Sequence, residues 1–94
     1  MTAAPDELVV TRPASIDLSD RLPESVASAA IELITGSLID APRRIGAALR
    51  DEYDGLWSAR LGTYRVIYRI DDANRQVEVV RVLHRRDAYR PRSS

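Results

Sequence analysis

The stretch Gly55-Leu-Trp-Ser-Ala-Arg-Leu-Gly-Thr-Tyr-Arg-Val-Ile-Tyr-Arg-Ile70 decides the fold, because it predicts two β-strands joined by a tight turn. Apolar and polar residues alternate on both sides of Gly62, and this period of two is typical of half-buried strands. Gly62 accepts the positive φ angle that a short hairpin loop requires. The second strand is expected to present two different faces: one holds Tyr64, Val66, Tyr68 and Ile70, and the other holds Arg65, Ile67 and Arg69.

Arginines gather on the outward face of this predicted hairpin. Arg60 on the first strand joins Arg65 and Arg69 on the second. Like charges held close together on a rigid sheet repel each other unless an anion lies near them. The face is therefore either a solvated surface whose arginine stems cover apolar area or an anion-binding site, and the residues alone leave both possibilities open.

The residues before the hairpin predict one strand and two helices. Residues 7–12 have the composition of a short strand, and residues 14–21 predict a short helix. Residues 24–40 have apolar positions at helical spacing and predict a longer amphipathic helix. Pro23 suits the first turn of that helix, and Pro42 ends it because a residue before proline is disfavoured in the α region.

The remaining segments complete the chain on either side of the hairpin. Residues 42–50 receive no firm assignment, residues 51–55 predict a loop, and residues 71–75 predict a polar turn. Residues 76–84 predict a third strand, with valines on both faces, which is typical of a central strand. Its alternation places Val77, Val79 and Leu83 on one face and Glu78, Val80, Val82 and His84 on the other.

This order of elements predicts the fold class α+β. A short N-terminal strand and two helices precede a three-stranded antiparallel meander, giving a four-stranded sheet with the helices on one face. Residues 1–6 are expected to form a disordered lead-in, residues 7–90 a single domain and residues 91–94 a tail.

Length and composition exclude several classes of protein. The 94 residues suffice for one domain with a modest core, and they include no cysteine and one histidine. We therefore expect no disulfide framework, no thiolate or multi-histidine metal centre and no cofactor. No segment approaches the ~20 apolar residues that span a bilayer, and the N-terminus lacks the pattern of a signal peptide. A cytoplasmic location is the expectation.

Charge is divided unevenly along the chain, although the net charge is zero. Residues 1–42 hold two arginines against seven acids, a balance of −5, whereas residues 43–94 hold twelve arginines against seven acids, a balance of +5. All fourteen cationic side chains are arginines. Such asymmetry predicts that the basic half meets a polyanion or an acidic partner.

An ordered set of residues resembles the RelE branch of the RelE/ParE toxin superfamily. The set is Ser58-x-Arg60-x-Gly62-x-Tyr64-Arg65-Val66-x-Tyr68, then Val82-Leu-His84-Arg85, then Tyr89-Arg90, preceded by a Pro-Arg-Arg loop and the spacing Leu49-Arg50…Leu56. The match spans about residues 8–90. Each piece alone is weak, and the ordered set within one small domain is specific.

The resemblance implies the toxin of a type II toxin–antitoxin system, a ribosome-dependent and metal-independent endoribonuclease that cuts mRNA. It also implies a RelB-like acidic antitoxin that folds on binding, and contact with operator DNA only through that antitoxin. The ribosome and its mRNA would be the other partners, with no membrane involved.

RNA cleavage requires removal of the 2′-hydroxyl proton, stabilisation of charge on the phosphate and protonation of the leaving oxygen. The planar guanidinium of arginine binds phosphate oxygens bidentately. By the resemblance, Arg65 matches the transition-state arginine of the family, Arg85 a second arginine, and Arg60 a basic position on the neighbouring strand. Arg69 and Arg81 are equally basic, and the alternative for them is solvation or pairing with Asp71, Asp72 or Glu78.

Proton transfer has no single candidate, because arginine does not act as a base near neutral pH and the chain has no lysine. Ser58 stands where some relatives carry lysine, and Gly46-Ala47-Ala48 stands where others carry a basic residue. The open candidates are Tyr89, which matches the family's C-terminal tyrosine, His84, and the acids of the 51–54 loop.

Two other functions remain open in the sequence. One is a ParE-like toxin that binds gyrase and performs no nuclease chemistry. The other is an inactive module that binds only its antitoxin and operator DNA. The Arg65, Arg85 and Tyr89 set favours the nuclease, whereas the missing lysines keep the alternatives open.

Overall fold

The structure, a computed structural model, describes residues 5–88, and its centre is a five-stranded sheet. The strands lie in the order β1-β5-β4-β3-β2; β1 pairs in parallel with β5, and the other neighbours are antiparallel. The five strands are β1 (Glu7–Val10), β2 (Ala47–Ala48), β3 (Trp57–Leu61), β4 (Tyr64–Asp71) and β5 (Gln76–His84). The predicted meander is therefore confirmed as the centre of the sheet.

Both predicted helices are present, and each ends in a wider turn of π-helix. The helix α1 (Arg12–Ile16) continues into the π turn Asp17–Arg21, and α2 (Glu24–Leu33) continues into the π turn Ile34–Leu38. The Thr11 hydroxyl caps α1 by accepting the N–H of Ala14. Short helices follow at α3 (Pro42–Ile45), at a 3₁₀ turn (Asp51–Tyr53) and at α4 (Arg85–Ala88).

The core lies between these helices and one face of the sheet. The buried residues of the helices are Ala14, Ala30, Ile34 and Leu38, and those of the strands are Ala59, Val66, Tyr68, Val77, Val79 and Val82. Complete burial of each valine or leucine side chain contributes about 1.5–3 kcal/mol relative to exposure. The helices thus cover one sheet face, as predicted, and Arg60, Arg65 and Arg69 lie on the opposite face of β3 and β4. No helix within residues 5–88 is both long enough and apolar enough to cross a membrane.

The prediction of four strands is wrong, because the unassigned segment contributes the edge strand β2. Ala47 pairs with Ser58, and Ala48 pairs with Trp57. Two alanines carry no alternation of apolar and polar side chains, so the pattern did not identify the strand. Gly46 permits this approach: a Cβ atom there would overlap the Tyr68 hydroxyl and lie 2.8 Å from the Ser58 carbonyl oxygen.

The predicted alternation along β5 is also wrong beyond Val79. Tyr68 pairs with Val79 and Ile67 pairs with Arg81, so Val80 is an extra residue that forms a β-bulge. The bulge reverses which residues face the helices. Val82 is buried in the core, and Leu83 pairs with Arg65 on the opposite face.

Candidate active site

Three of the five predicted site residues come together at one end of the sheet. Arg60 of β3 lies directly opposite Arg65 of β4, so both side chains project from the same face. The backbone N–H of Arg85 donates to the carbonyl oxygen of Thr63, at 2.7 Å, in the turn that joins β3 and β4. The hairpin turn therefore brings the backbone of the third arginine next to the first two.

Arg60, Arg65 and Arg85 differ in their ion pairing from Arg69 of β4 and Arg81 of β5. Arg69 forms an ion pair with Glu78, with Nη1 2.9 Å from Oε1, and Arg81 forms one with Asp17, with Nε 2.8 Å from Oδ2. Among the ion pairs formed within residues 5–88, none involves Arg60, Arg65 or Arg85. The positive charge at this end of the sheet is therefore uncompensated by neighbouring acids in that part of the chain.

The guanidinium of Arg65 is held in place by the hairpin turn. Its Nη1 donates to the carbonyl oxygens of Tyr64, at 2.8 Å, and Gly62, at 3.2 Å. Gly62 adopts a φ of 61°, a left-handed conformation that glycine accepts without strain. Arg65 is half-buried, whereas Arg60 and Arg85 are exposed. Because its orientation is already fixed, Arg65 loses less conformational entropy on binding an anion than a free side chain would.

A cavity of about 480 Å³ opens in front of Arg60 and Arg65. Its remaining lining residues come from the β2 region and from β3, and they are Ile45, Gly46, Ala47, Leu49 and Ser58. Ser58, Gly46 and Ala47 are among the positions at which, by the resemblance, some relatives carry basic side chains. The cavity therefore combines two guanidinium groups with a small, largely apolar wall.

His84 lies on the other side of the sheet, away from Arg60 and Arg65. It pairs with Tyr64, and the two rings meet edge to face with their centroids 5.2 Å apart. Its Nδ1 accepts the backbone N–H of Arg86, so the neutral ring carries its proton on Nε2. His84 lines a separate cavity of about 470 Å³ together with Asp17 and Arg21. Its proposed role in proton transfer stays a prediction.

The other candidates for proton transfer are also apart from the arginines or outside the described residues. Tyr89 lies outside the described residues. The acidic loop that begins at Asp51 precedes β3, whereas Arg60 is near the end of that strand, three residues or roughly 10 Å beyond Trp57. Trp57 and Tyr68 stack with centroids 6.4 Å apart and belong to the core side of the sheet.

Burial raises the pKa of Tyr68 to about 12, and its hydroxyl donates to the carbonyl oxygen of Pro42. Tyr68 is thus a structural residue with a satisfied hydroxyl. Within residues 5–88, no group of three or more histidine, cysteine, aspartate or glutamate side chains is placed to hold a metal ion.

The sequence prediction missed Asp17, the buried partner of Arg81. The pairing of Arg69 with Glu78 was one of the alternatives considered, but Arg81 pairs with an acid 64 positions away. The side-chain hydrogen bond with Asp17 raises the pKa of Arg81 above its ordinary value. The only local signal is spacing: Asp17 follows the buried Ala14 by three residues, which places both on one helix face.

Comparisons with known proteins show the family to which the chain belongs. Residues 10–89 match the family described as the ParE toxin of the type II toxin–antitoxin system parDE. Toxin RelE of Mycobacterium tuberculosis is 43% identical over 86 residues, covering 92% of this chain and 88% of the relative. Toxin RelG of the same organism is 47% identical over 70 residues, covering 74% of this chain and 80% of the relative.

Solved structures extend the likeness to the fold. The crystal structure of the toxin–antitoxin complex RelBE2 from Mycobacterium tuberculosis contains a chain that is 42% identical, with a TM-score of 0.80, covering 85% of this chain and 98% of that one. The isolated Escherichia coli RelE toxin shares the fold at 20% identity, with a TM-score of 0.69 and coverage of 83% and 82%. This chain therefore belongs to the ParE toxin family of type II toxin–antitoxin systems, within the RelE/ParE superfamily.

Proposed function

We propose that this toxin is a ribosome-dependent, metal-independent endoribonuclease that cleaves mRNA and so inhibits translation. The observation that carries the proposal is the gathering of Arg60, Arg65 and Arg85 around one hairpin turn, without an ion pair to any acid in residues 5–88. Arginines elsewhere on β4 and β5 are paired. Arginines that pair with no acid of the described residues, two of which line a cavity, suit a phosphodiester.

The cleavage step is an internal displacement at phosphorus, in which one bond forms and one breaks. The 2′-oxygen of the mRNA forms a bond to phosphorus, and the bond from phosphorus to the 5′-oxygen breaks, leaving a 2′,3′-cyclic phosphate. A base takes the 2′-hydroxyl proton, and an acid protonates the departing 5′-oxygen. Arg65 and Arg85 stabilise the charge that builds on the phosphate, with Arg60 binding the neighbouring backbone. Removal of one such donor costs about 2.7–4 kcal/mol of transition-state stabilisation, or 10²–10³ in rate.

Tyr89 and His84 are the chain's candidates for proton transfer. His84 faces the helix side of the sheet in the free toxin, so its participation requires the substrate to reach around the end of β5. The ribosome supplies the shape of the mRNA and part of the catalytic setting in this proposal. Weak cleavage of naked RNA is the corresponding expectation.

The proposed partner that restrains the toxin is an acidic, RelB-like antitoxin. The RelBE2 structure from Mycobacterium tuberculosis and the Escherichia coli RelBE structure are toxin–antitoxin complexes. Acidic side chains of the antitoxin complement the uncompensated arginines, and a disordered segment that folds on binding is able to cover such a surface. Operator DNA is contacted through the antitoxin, and the toxin acts in the cytoplasm.

A reconstituted cleavage assay tests the nuclease proposal. Purified toxin is mixed with ribosomes programmed with a defined mRNA, and cut sites are mapped by primer extension. We expect Arg65→Ala and Arg85→Ala each to lower the rate by about 10²–10³. Arg69→Ala is the matched control, since Arg69 lies on the same strand and face as Arg65 but pairs with Glu78. Unchanged cleavage by the Arg65, Arg85 double variant would rule out this site.

A ParE-like activity is the second candidate, favoured by the family description that matches residues 10–89. Such a toxin would inhibit DNA gyrase by binding and would cut no RNA. A ribosome-free supercoiling assay distinguishes the two functions. Inhibition of supercoiling together with intact mRNA would replace the nuclease proposal with this one.

A further inference from the structure

The strand β5 extends beyond the neighbour that covers its outer edge. The parallel strand β1 pairs with β5 only as far as Val10 and Val79. Beyond that point, Thr11 covers the edge: its N–H donates to the Val79 carbonyl oxygen at 3.0 Å, and its hydroxyl donates to the Val80 carbonyl oxygen at 2.9 Å. The start of α1 thus replaces the missing strand at the bulge.

Asp17 continues this cover along the residues that follow the bulge. Its carboxylate is 1% exposed and accepts three hydrogen bonds from β5. Two come from the Arg81 guanidinium, from Nε at 2.8 Å and from Nη2 at 3.0 Å, and the third comes from the backbone N–H of Val82 at 2.9 Å. Arg21 Nη1 lies 3.9 Å from the same carboxylate. Bidentate, charge-assisted bonds of this kind fix orientation as well as position.

The residues held by Asp17 determine where Arg85 lies. If β5 had no bulge, pairing would continue from Val79 to place Val82 opposite Arg65. Each later residue would then turn to the other face of the sheet and shift by one position, roughly 3.3 Å along the strand. Arg85, three residues after Val82, would leave the hairpin turn that it now contacts through Thr63.

We propose that Asp17 is a positioning residue for Arg85, acting by holding Arg81 and Val82 in the register that follows the bulge. Asp17 does not touch the substrate. The inference rests on the nuclease function proposed above, and it assigns a catalytic consequence to an acid on the helix side of the sheet. Its removal leaves the Arg81 guanidinium and the Val82 N–H without their acceptor, so the end of β5 loosens.

Asp17→Asn is the first test variant, because the asparagine keeps the size of the side chain and removes its charge. We expect kcat for cleavage of ribosome-bound mRNA to fall about tenfold or more, since displacement of a catalytic group by ~1 Å can cost 10²-fold. KM for the programmed ribosome should stay within about twofold of wild type, because Arg60 and Arg65 keep their places.

Arg81→Lys is the second variant and keeps the positive charge while losing the bidentate geometry. It should lower kcat less than Asp17→Asn does. Glu78→Gln is the matched control, because it breaks the other acid–arginine pair of β5 without touching the bulge. Its kcat should equal that of the wild type. All variants are compared at a temperature at which circular dichroism shows them fully folded.

Amide hydrogen exchange provides a readout that does not depend on cleavage. Protection of the Arg85 N–H, which bonds to Thr63, should fall at least tenfold in Asp17→Asn and stay unchanged in Glu78→Gln. A wild-type toxin that cuts no mRNA would refute the nuclease proposal and leave this measurement to decide the positioning role. Wild-type kcat in folded Asp17→Asn, or unchanged protection of Arg85, would overturn the inference. If Asp17→Asn does not fold, the same two outcomes are judged on Arg81→Lys.

Discussion

Replacement of Gly46 by alanine tests the close packing of the edge strand β2 against the core. The new Cβ atom would overlap the Tyr68 hydroxyl and lie 2.8 Å from the Ser58 carbonyl oxygen. The backbone of β3 fixes Ser58, and the hydrogen bond to Pro42 fixes the Tyr68 hydroxyl. Relief of both contacts therefore requires a backbone shift away from Ser58 and displacement of the Tyr68 hydroxyl from its acceptor.

The expected cost follows from these two contacts. Overpacking of a close-packed site costs about 1–3 kcal/mol. Displacement of the buried Tyr68 hydroxyl from its acceptor costs about 1–3 kcal/mol more. The free energy of unfolding of Gly46→Ala should thus fall by about 2–6 kcal/mol. In a domain of this size, that change lowers Tm by roughly 10–50 °C.

Urea unfolding followed by circular dichroism measures this difference, with the slope m as a check for two-state behaviour. Gly36→Ala is the matched control, because a Cβ atom at Gly36 meets no atom within 4 Å and the residue lies in the helical turn Ile34–Leu38. Alanine there should stabilise the protein by up to about 1 kcal/mol. A Gly46→Ala protein within about 0.5 kcal/mol of wild type would refute the packing argument.

Three further predictions concern stability and binding. Burial raises the pKa of Tyr68 from 10.0 to about 12, so the folded state holds this proton more tightly than the unfolded chain. Urea unfolding at several pH values should show that this proton contributes roughly 2–3 kcal/mol to the free energy of unfolding below pH ~10. This contribution should be lost as pH rises toward ~12, and Tyr68→Phe should remove that loss. Asp17→Ala should destabilise by about 3 kcal/mol, because it leaves a partly buried cation and an N–H unpaired; a loss equal to that of the exposed-pair variant Arg69→Ala, below about 1 kcal/mol, would contradict this. The affinity for the antitoxin, measured by calorimetry, should weaken as the salt concentration rises. An affinity that does not change with salt concentration would exclude an electrostatic contribution.

The elements of the fold that the sequence predicted are those in which apolar residues recur at a regular spacing. The hairpin around Gly62 alternates over both strands, and the helix beginning after Pro23 has apolar positions at helical spacing. Burial of one face determines such elements locally, so the residues alone reveal them. The grouping of Arg60 with Arg65 followed directly from the hairpin register.

The parts that sequence did not predict depend on distant contacts. The strand β2 exists because Gly46 allows two alanines to approach β3, and no alternation marks it. The bulge at Val80 is stabilised by Thr11 and Asp17, which lie more than 60 positions earlier in the chain. Contacts of such separation leave no periodic pattern near the residue that they displace. The alternation placed His84 on the face opposite Val77 and Val79, and this error followed from the missed bulge.

The extra residue at Val80 has a consequence for how such a chain tolerates insertions and deletions. Loss of the Val80 codon would remove the bulge and leave the pairing of residues 81–84 with β4 unchanged. Gain or loss of one residue after the bulge would instead turn His84 toward the substrate side of the sheet. Most substitutions along the same strand would alter only one side chain. A change of length after the bulge is therefore the larger chemical step, and it should be rarer among active toxins than a substitution in the same segment.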